Sequence, residues 1–305
     1  MNKLKQYANK PLSFIALILI IISTLITALA IIFIIGYILI KGVPNLSVDL
    51  FSLKYSSANQ SMLPSIINTV YLTALTLLLA VPVGIFSAIY LAEYARKSSF
   101  FVRIINVANE TLSGIPSIVY GLFGFLAFVI SKKWGYSLSA GVITLAIMVL
   151  PLIIRTSQEA ILGVDNSFRE ASYGLGAGKL RTVFKIVLPS AMPGILSGII
   201  LAIGRIVGET AALIYTAGTV PEVATSLTSS SRTISVHLYC LLNEGLYTEQ
   251  ADGLFSSGRT LAVHMYALLN EGLYTEQAYA TAVVLIIFVV IINALSNFLA
   301  KKIIK

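Results

Sequence analysis

Apolar residues in this chain gather into long unbroken runs rather than the alternations or narrow stripes of a soluble domain. A hydrocarbon layer about 30 Å thick takes roughly 20 helical residues to cross. Six runs reach that length, at about 13–41, 65–92, 104–131, 137–157, 191–217 and 279–299. The pattern predicts an all-α integral membrane protein of six transmembrane helices. The third and fifth runs are irregular, carrying glycines, a proline or charges. The first follows Lys3, Lys5 and Lys10, which mimics a signal peptide. Its apolar core is too long for a signal sequence and no small-residue cleavage site stands out, so it reads as a retained helix.

Composition agrees. The chain of 305 residues is 57% hydrophobic and 11% charged, with a mean hydropathy of +0.90, where soluble domains carry about 25% charged residues. The net charge of +8 invites a nucleic-acid reading, but the basic residues segregate by side. With the N-terminus in the cytoplasm and six alternating helices, the inner side holds Lys3, Lys5, Lys10, Arg96, Lys97, Arg103, Arg155, Arg169, Lys179, Arg181, Lys185, Lys301, Lys302 and Lys305. The outer side holds only Lys41, Lys54, Lys132, Lys133, Arg232 and Arg259. That is the positive-inside bias of a membrane protein. Cys240 stands alone, so no internal disulfide can form, and His237 and His264 show no metal-ligand spacing, so no metal site is expected.

Two loops are long, an inner one at about 158–190 and an outer one at about 218–278. The outer loop contains a repeat: RTISVHLYCLLNEGLYTEQA at 232–251 matches RTLAVHMYALLNEGLYTEQA at 259–278 at 16 of 20 positions, offset by 27 residues. Two copies point to a tandem duplication rather than a solenoid. The segment is either a gate or docking element present twice or, the reading given more weight, an insertion tolerated in a surface loop. In the third run, ETLSGIPSIVYGLFG at 110–124 places Pro116 where it should kink a helix. Gly114, Gly121 and Gly124 would let a neighbour approach closely. A packing kink and a direct pathway role both fit.

The inner loop carries REASYGLGAGKLRTVFKIVLPSAMPG at 169–194. Its GLGAGK imitates a phosphate-binding loop, but Tyr173 stands where the first glycine belongs and Leu180 where Ser or Thr should follow Lys179. ATP binding by this chain is not expected. The stretch does fit Glu-Ala-x-x-x-x-Gly followed by Ile-x-Leu-Pro, through Glu170, Ala171, Gly176, Ile186, Leu188 and Pro189. It reads as a short helix with Glu170 near its first turn, a glycine turn, and a second short helix stopped by proline. Lys179, Arg181 and Lys185 make the second helix basic. Such a projection could enter a groove on a cytoplasmic partner or lie on anionic lipid.

This spacing resembles the EAA loop of ABC-importer permeases. Together with NTVYLTALTLLLAVPVGIFSAIYLAEYA at 68–95, the 110–124 stretch and GRIVGETAALIYTAG at 204–218, it makes the chain similar to the A-type, PstA-like permeases of phosphate-specific ABC importers over about residues 10–300. The resemblance implies a six-helix, MetI-like type I importer permease that is not itself catalytic and needs no cofactor, ATP being bound by partner subunits. It implies a plasma-membrane subunit with both termini cytoplasmic, whose EAA residues dock as a coupling helix into the ATPase. The implied partners are a sister permease, two ATPase subunits and an extracytoplasmic phosphate-binding protein, with inorganic phosphate as solute. The family carries the Arg-Thr…Glu-Gln-Ala segment once. The second copy runs directly into the sixth span, so the first looks like the insertion.

Within the fifth run, Arg205 and Glu209 lie four residues apart, which on a continuous helix puts both on one face. A mid-membrane charge is costly and faces protein or water. Gly204 and Gly208 would admit a close neighbour, and Thr210 adds a hydroxyl. The bland reading is an internal ion pair joining helices. The functional one is an anion pathway: the guanidinium fork suits phosphate oxygens, and solute would compete with Glu209 for Arg205. The resemblance implicates the matching Arg and Gly-Glu-Thr in transport. A secondary transporter predicts an internal inverted repeat, which is not seen. A membrane enzyme would need a polar cluster, and the spans offer little beyond Glu110, Arg205 and Glu209.

Overall fold

From Pro11 to Gly42 the sequence offers no polar break, and it forms one 32-residue helix, α1. In the computed structural model, which describes residues 11–56, 59–96, 100–243 and 275–304, ten further helices follow. They are α2 (Leu63–Ile89), α3 (Phe100–Gly114), α4 (Ser117–Gly124), α5 (Leu138–Leu162), α6 (Asn166–Gly174), α7 (Lys179–Thr182), α8 (Leu188–Val207), α9 (Ala211–Thr216), α10 (Ile234–Asn243) and α11 (Thr275–Ile304). No strand occurs among the described residues. Five helical stretches are long and apolar enough to cross a membrane, or six if the bent α3–α4 pair counts as one. Lys3, Lys5, Lys10, Lys97 and Lys305 lie outside the described residues, as do His264 and most of the second repeat copy.

The centre is built from α2, α5, α8, α4 and α9. Leu72, Leu145, Met148, Ile153, Ile206 and Leu213 are fully buried there. Gly194 and Gly198 bring α8 against Ala160 and Thr156 of α5, where an added Cβ would collide with either side chain. By contrast α1 buries none of its apolar window and touches α11, where Gly42 packs on the Tyr279 carbonyl. A helix this apolar and this uncovered has lipid or another subunit as its solvent.

Two expected spans differ from their sequence reading. Residues 104–131 are not one kinked helix: α3 and α4 meet at 102°. Pro116 is extended (φ −58°, ψ 142°) and stands at the N-cap of α4, and its ring disfavours helical geometry at Ile115, just past the end of α3. The Tyr120 hydroxyl donates to Leu112 O at 2.7 Å, bridging the break. The fifth span is displaced from 191–217. Its helix starts at Lys179 and ends at Val207, because Pro189 does not stop it. A π turn, Val183–Val187, joins α7 to α8 just before the proline, and Ser190 Oγ donates to Ile186 O at 2.7 Å. Widening the turn reduces the clash and the lost hydrogen bond that proline imposes.

The described part of the first repeat copy, 232–243, lies in the interior rather than on the surface. Arg232, Thr233, Ile234, Val236, His237 and Leu241 are buried. Ile234 N donates to Thr69 Oγ1 of α2 at 2.9 Å, and Asn68 of the same helix bonds Glu222 O, Arg232 O and Ala224 N. Apolar residues at helical spacing in this copy find a core to enter, so α10 is part of the bundle.

Candidate functional site: a broken helix and a projecting loop

The charged stretch of the fifth span sits at a helix end. Gly208 closes α8, residues 208–210 are non-helical, and α9 begins at Ala211. Because the helix is interrupted, the expected Arg205–Glu209 pairing does not form. Glu209 is 8% exposed and its Oε1 accepts the Ala212 amide at 3.0 Å, capping α9. Among the described residues Arg205 makes no ion pair. Arg205 is half-buried in the last turn of α8, where a cation suits the helix dipole, within electrostatic reach of the Tyr120 hydroxyl. Thr210 is half-buried in the break and makes no side-chain cap.

Among the described residues no other helix makes the close approach expected at Gly204 and Gly208. A Cβ on Gly204 would meet nothing within 4 Å, and one on Gly208 only the Gly204 carbonyl at 3.5 Å. At these two positions α8 therefore has open space beside it among the described residues. Gly114 is equally open, whereas Gly121 packs on Ala212 and Gly124 on Thr144 and Thr216. The α4 glycines thus hold α9, and with it the break, against α4. The first repeat copy reaches the same place: Ser235 Oγ donates to Glu209 O at 2.6 Å. Tyr120 and Ser235 were not singled out from sequence, since their roles depend on two helix breaks that periodicity alone does not reveal.

At the other functional region, α6 and α7 form a hairpin around Gly176, whose φ of +81° suits glycine. A buried hydrogen bond of 2.8 Å between Ser172 and Thr182 closes it. The acid at the start of α6 is Asp165 rather than Glu170, which lies a turn later. Asp165 accepts the Ser167 amide at 2.8 Å, and that bond holds its carboxyl below the usual range. Glu170, Ala171, Gly176 and Pro189 are exposed, while Ile186 and Leu188 are half-buried. Around them Phe168, Tyr173, Leu175 and Leu180 also face outward, Leu175 being 90% exposed. Apolar side chains on a polar hairpin beyond the helix ends mark an interaction surface.

The family described as binding-protein-dependent transport system inner membrane component matches residues 80–305. The chain belongs to this family. The match spans the α6–α7 hairpin, the broken fifth span and α11, and it makes the protein a multi-pass inner-membrane component. The chain is 35% identical to the probable ABC transporter permease protein YqgI of Bacillus subtilis, over 69% of its own length and 76% of the relative's. It is 35% identical to the phosphate transport system permease protein PstA of Yersinia pestis, over 77% and 80%. Its fold is shared with a bacterial alginate ABC transporter in complex with an alginate-bound periplasmic protein, at a TM-score of 0.62 and 16% identity over 99% of this chain and 98% of that one.

Proposed function

We propose that the chain is the non-catalytic permease subunit of an ATP-driven phosphate importer. It forms half of the translocation pathway with a second, similar permease, and ATP is bound by partner subunits. The observation that carries the reading is Arg205: a half-buried guanidinium-bearing residue that makes no ion pair among the described residues, beside a helix break and next to Gly204, where a Cβ would meet no described atom within 4 Å. Intramembrane cations mark solute pathways, and transporters bind at interrupted helices. With Glu209 committed to the Ala212 amide, the fork of Arg205 is open to phosphate oxygens rather than contested by Glu209, and Thr210 adds a hydroxyl beside it. The relatives named as phosphate transport permeases support phosphate over other oxyanions or small solutes.

The α6–α7 hairpin is the coupling element, with Glu170, Ala171, Gly176 and the apolar rim of Leu175 and Leu180 meeting a cytoplasmic ATPase, one of two in the complex. Ile186, Leu188 and Pro189 root it in α8. On this reading the hairpin and both termini are cytoplasmic, and the segment around 218–234 is on the outer side, where a phosphate-binding protein delivers solute. Radiolabelled phosphate uptake in a strain lacking its own permease, complemented with this chain, tests the reading. Restored uptake that depends on the binding protein is expected, and uptake of another oxyanion with none of phosphate would overturn the substrate.

A further inference from the structure

One buried ion pair has no part in the pathway described so far. Arg169 of α6 gives Nη2 and Nε to Glu93 Oε1 at 2.7 and 2.9 Å. Glu93 lies in the π turn, Tyr90–Tyr94, that ends α2. The same guanidinium donates to Ile161 O and Val164 O, at and just beyond the end of α5. Only 13% of the arginine side chain and 7% of the glutamate side chain are exposed. A second contact joins the same elements, with Lys179 Nζ 4.8 Å from the centre of the Tyr94 ring.

We infer that Arg169 and Glu93 are the positioning pair that makes the coupling hairpin move as one body with α2, an inference that rests on the function proposed above. The hairpin is bounded by Gly163 on one side and contains Gly176 and Gly178 in its turn. Backbone of this kind bends and would absorb a push from the ATPase. One planar, five-donor group bridging three elements bypasses it. From Glu93 the path continues along α2 to Asn68 and Thr69, which hold residues 222–234, and from Ser235 to Glu209 at the break. The guanidinium thus stands at one end of a bonded path whose other end is the pathway.

The test uses the assembled complex in liposomes, measuring phosphate taken up per ATP hydrolysed. Glu93→Gln and Arg169→Lys are expected to leave assembly intact and ATP turnover within about twofold of wild type, while the transport ratio falls by about tenfold. Lysine keeps the charge but not the fork, so its failure would separate geometry from electrostatics. Exchanging the charges (Glu93→Arg with Arg169→Glu) is expected to recover part of the ratio, since the pair re-forms without the carbonyl contacts. An unchanged ratio in both single variants overturns the inference. So does a fall in uptake that merely tracks loss of assembled complex, with no recovery on exchange. A wild-type complex without ATP-dependent phosphate uptake would instead remove the function beneath it, a result visible before any variant is made.

Discussion

Glu209 is the residue whose neighbours change its meaning most. On a continuous helix it would face Arg205, but Gly208 ends α8 and turns the carboxylate onto the Ala212 amide. The Gly-Glu-Thr stretch did hold the signal, since glycine closes helices and Glu or Thr opens them. Glu209→Gln should keep the acceptor and therefore keep uptake. Glu209→Ala should lose it, lower stability by about 1 kcal/mol and disturb transport, which thermal unfolding and uptake assays on both variants would check. His237 carries a second residue-scale prediction. Burial, and then the charge of Arg232, hold its pKa at about 3 against an ordinary 6.5. The unfolded chain therefore takes up a proton between these values that the folded one refuses, so stability is present above about 6.5 and is lost as pH falls toward 3. His237→Gln should flatten that part of the pH dependence of thermal unfolding in detergent.

At the scale of elements, the runs of apolar residues located the membrane helices but not their interruptions. Pro116 was legible as a disruption and not as a 102° turn, because the turn depends on α4 seating Gly121 on α9. Gly204 and Gly208 have the spacing for close packing and meet no other described helix of this chain. Gly194 and Gly198 have that spacing too, and they are the ones that meet α5. Gly198→Val should cost about 1–3 kcal/mol through overpacking against Thr156, while Gly204→Ala should leave stability unchanged in the same unfolding assay. The repeat yields a sharper prediction. Deleting 232–258 leaves Arg259 to follow Ser231, and the retained copy matches the buried one at Arg, Thr, Val, His and Leu of the seat. That deletion should still support phosphate uptake, with one copy serving where either would fit. Loss of uptake would show that the first copy does something the second cannot, with Ser235, replaced by alanine in the second copy, the first place to look.

At the scale of the whole molecule, three of the uncovered surfaces among the described residues bear on function: the apolar length of α1, the open space beside Gly204 on α8, and the rim of the α6–α7 hairpin. Under the proposed function they are left for lipid, a second permease and an ATPase. The hairpin was legible from the EAA spacing, but its apolar rim was not, since Leu175 and Leu180 gain their meaning only from where the hairpin projects. Leu175→Glu with Leu180→Glu should release the ATPase in co-purification while the permease remains folded. The central claim is that Arg205 lines the phosphate route. The most direct measurement is ATP-dependent uptake of radiolabelled phosphate by the reconstituted complex carrying wild-type Arg205 or Arg205→Gln. The account predicts that the variant assembles with its ATPase and transports no phosphate. Uptake by the variant at the wild-type rate would contradict it.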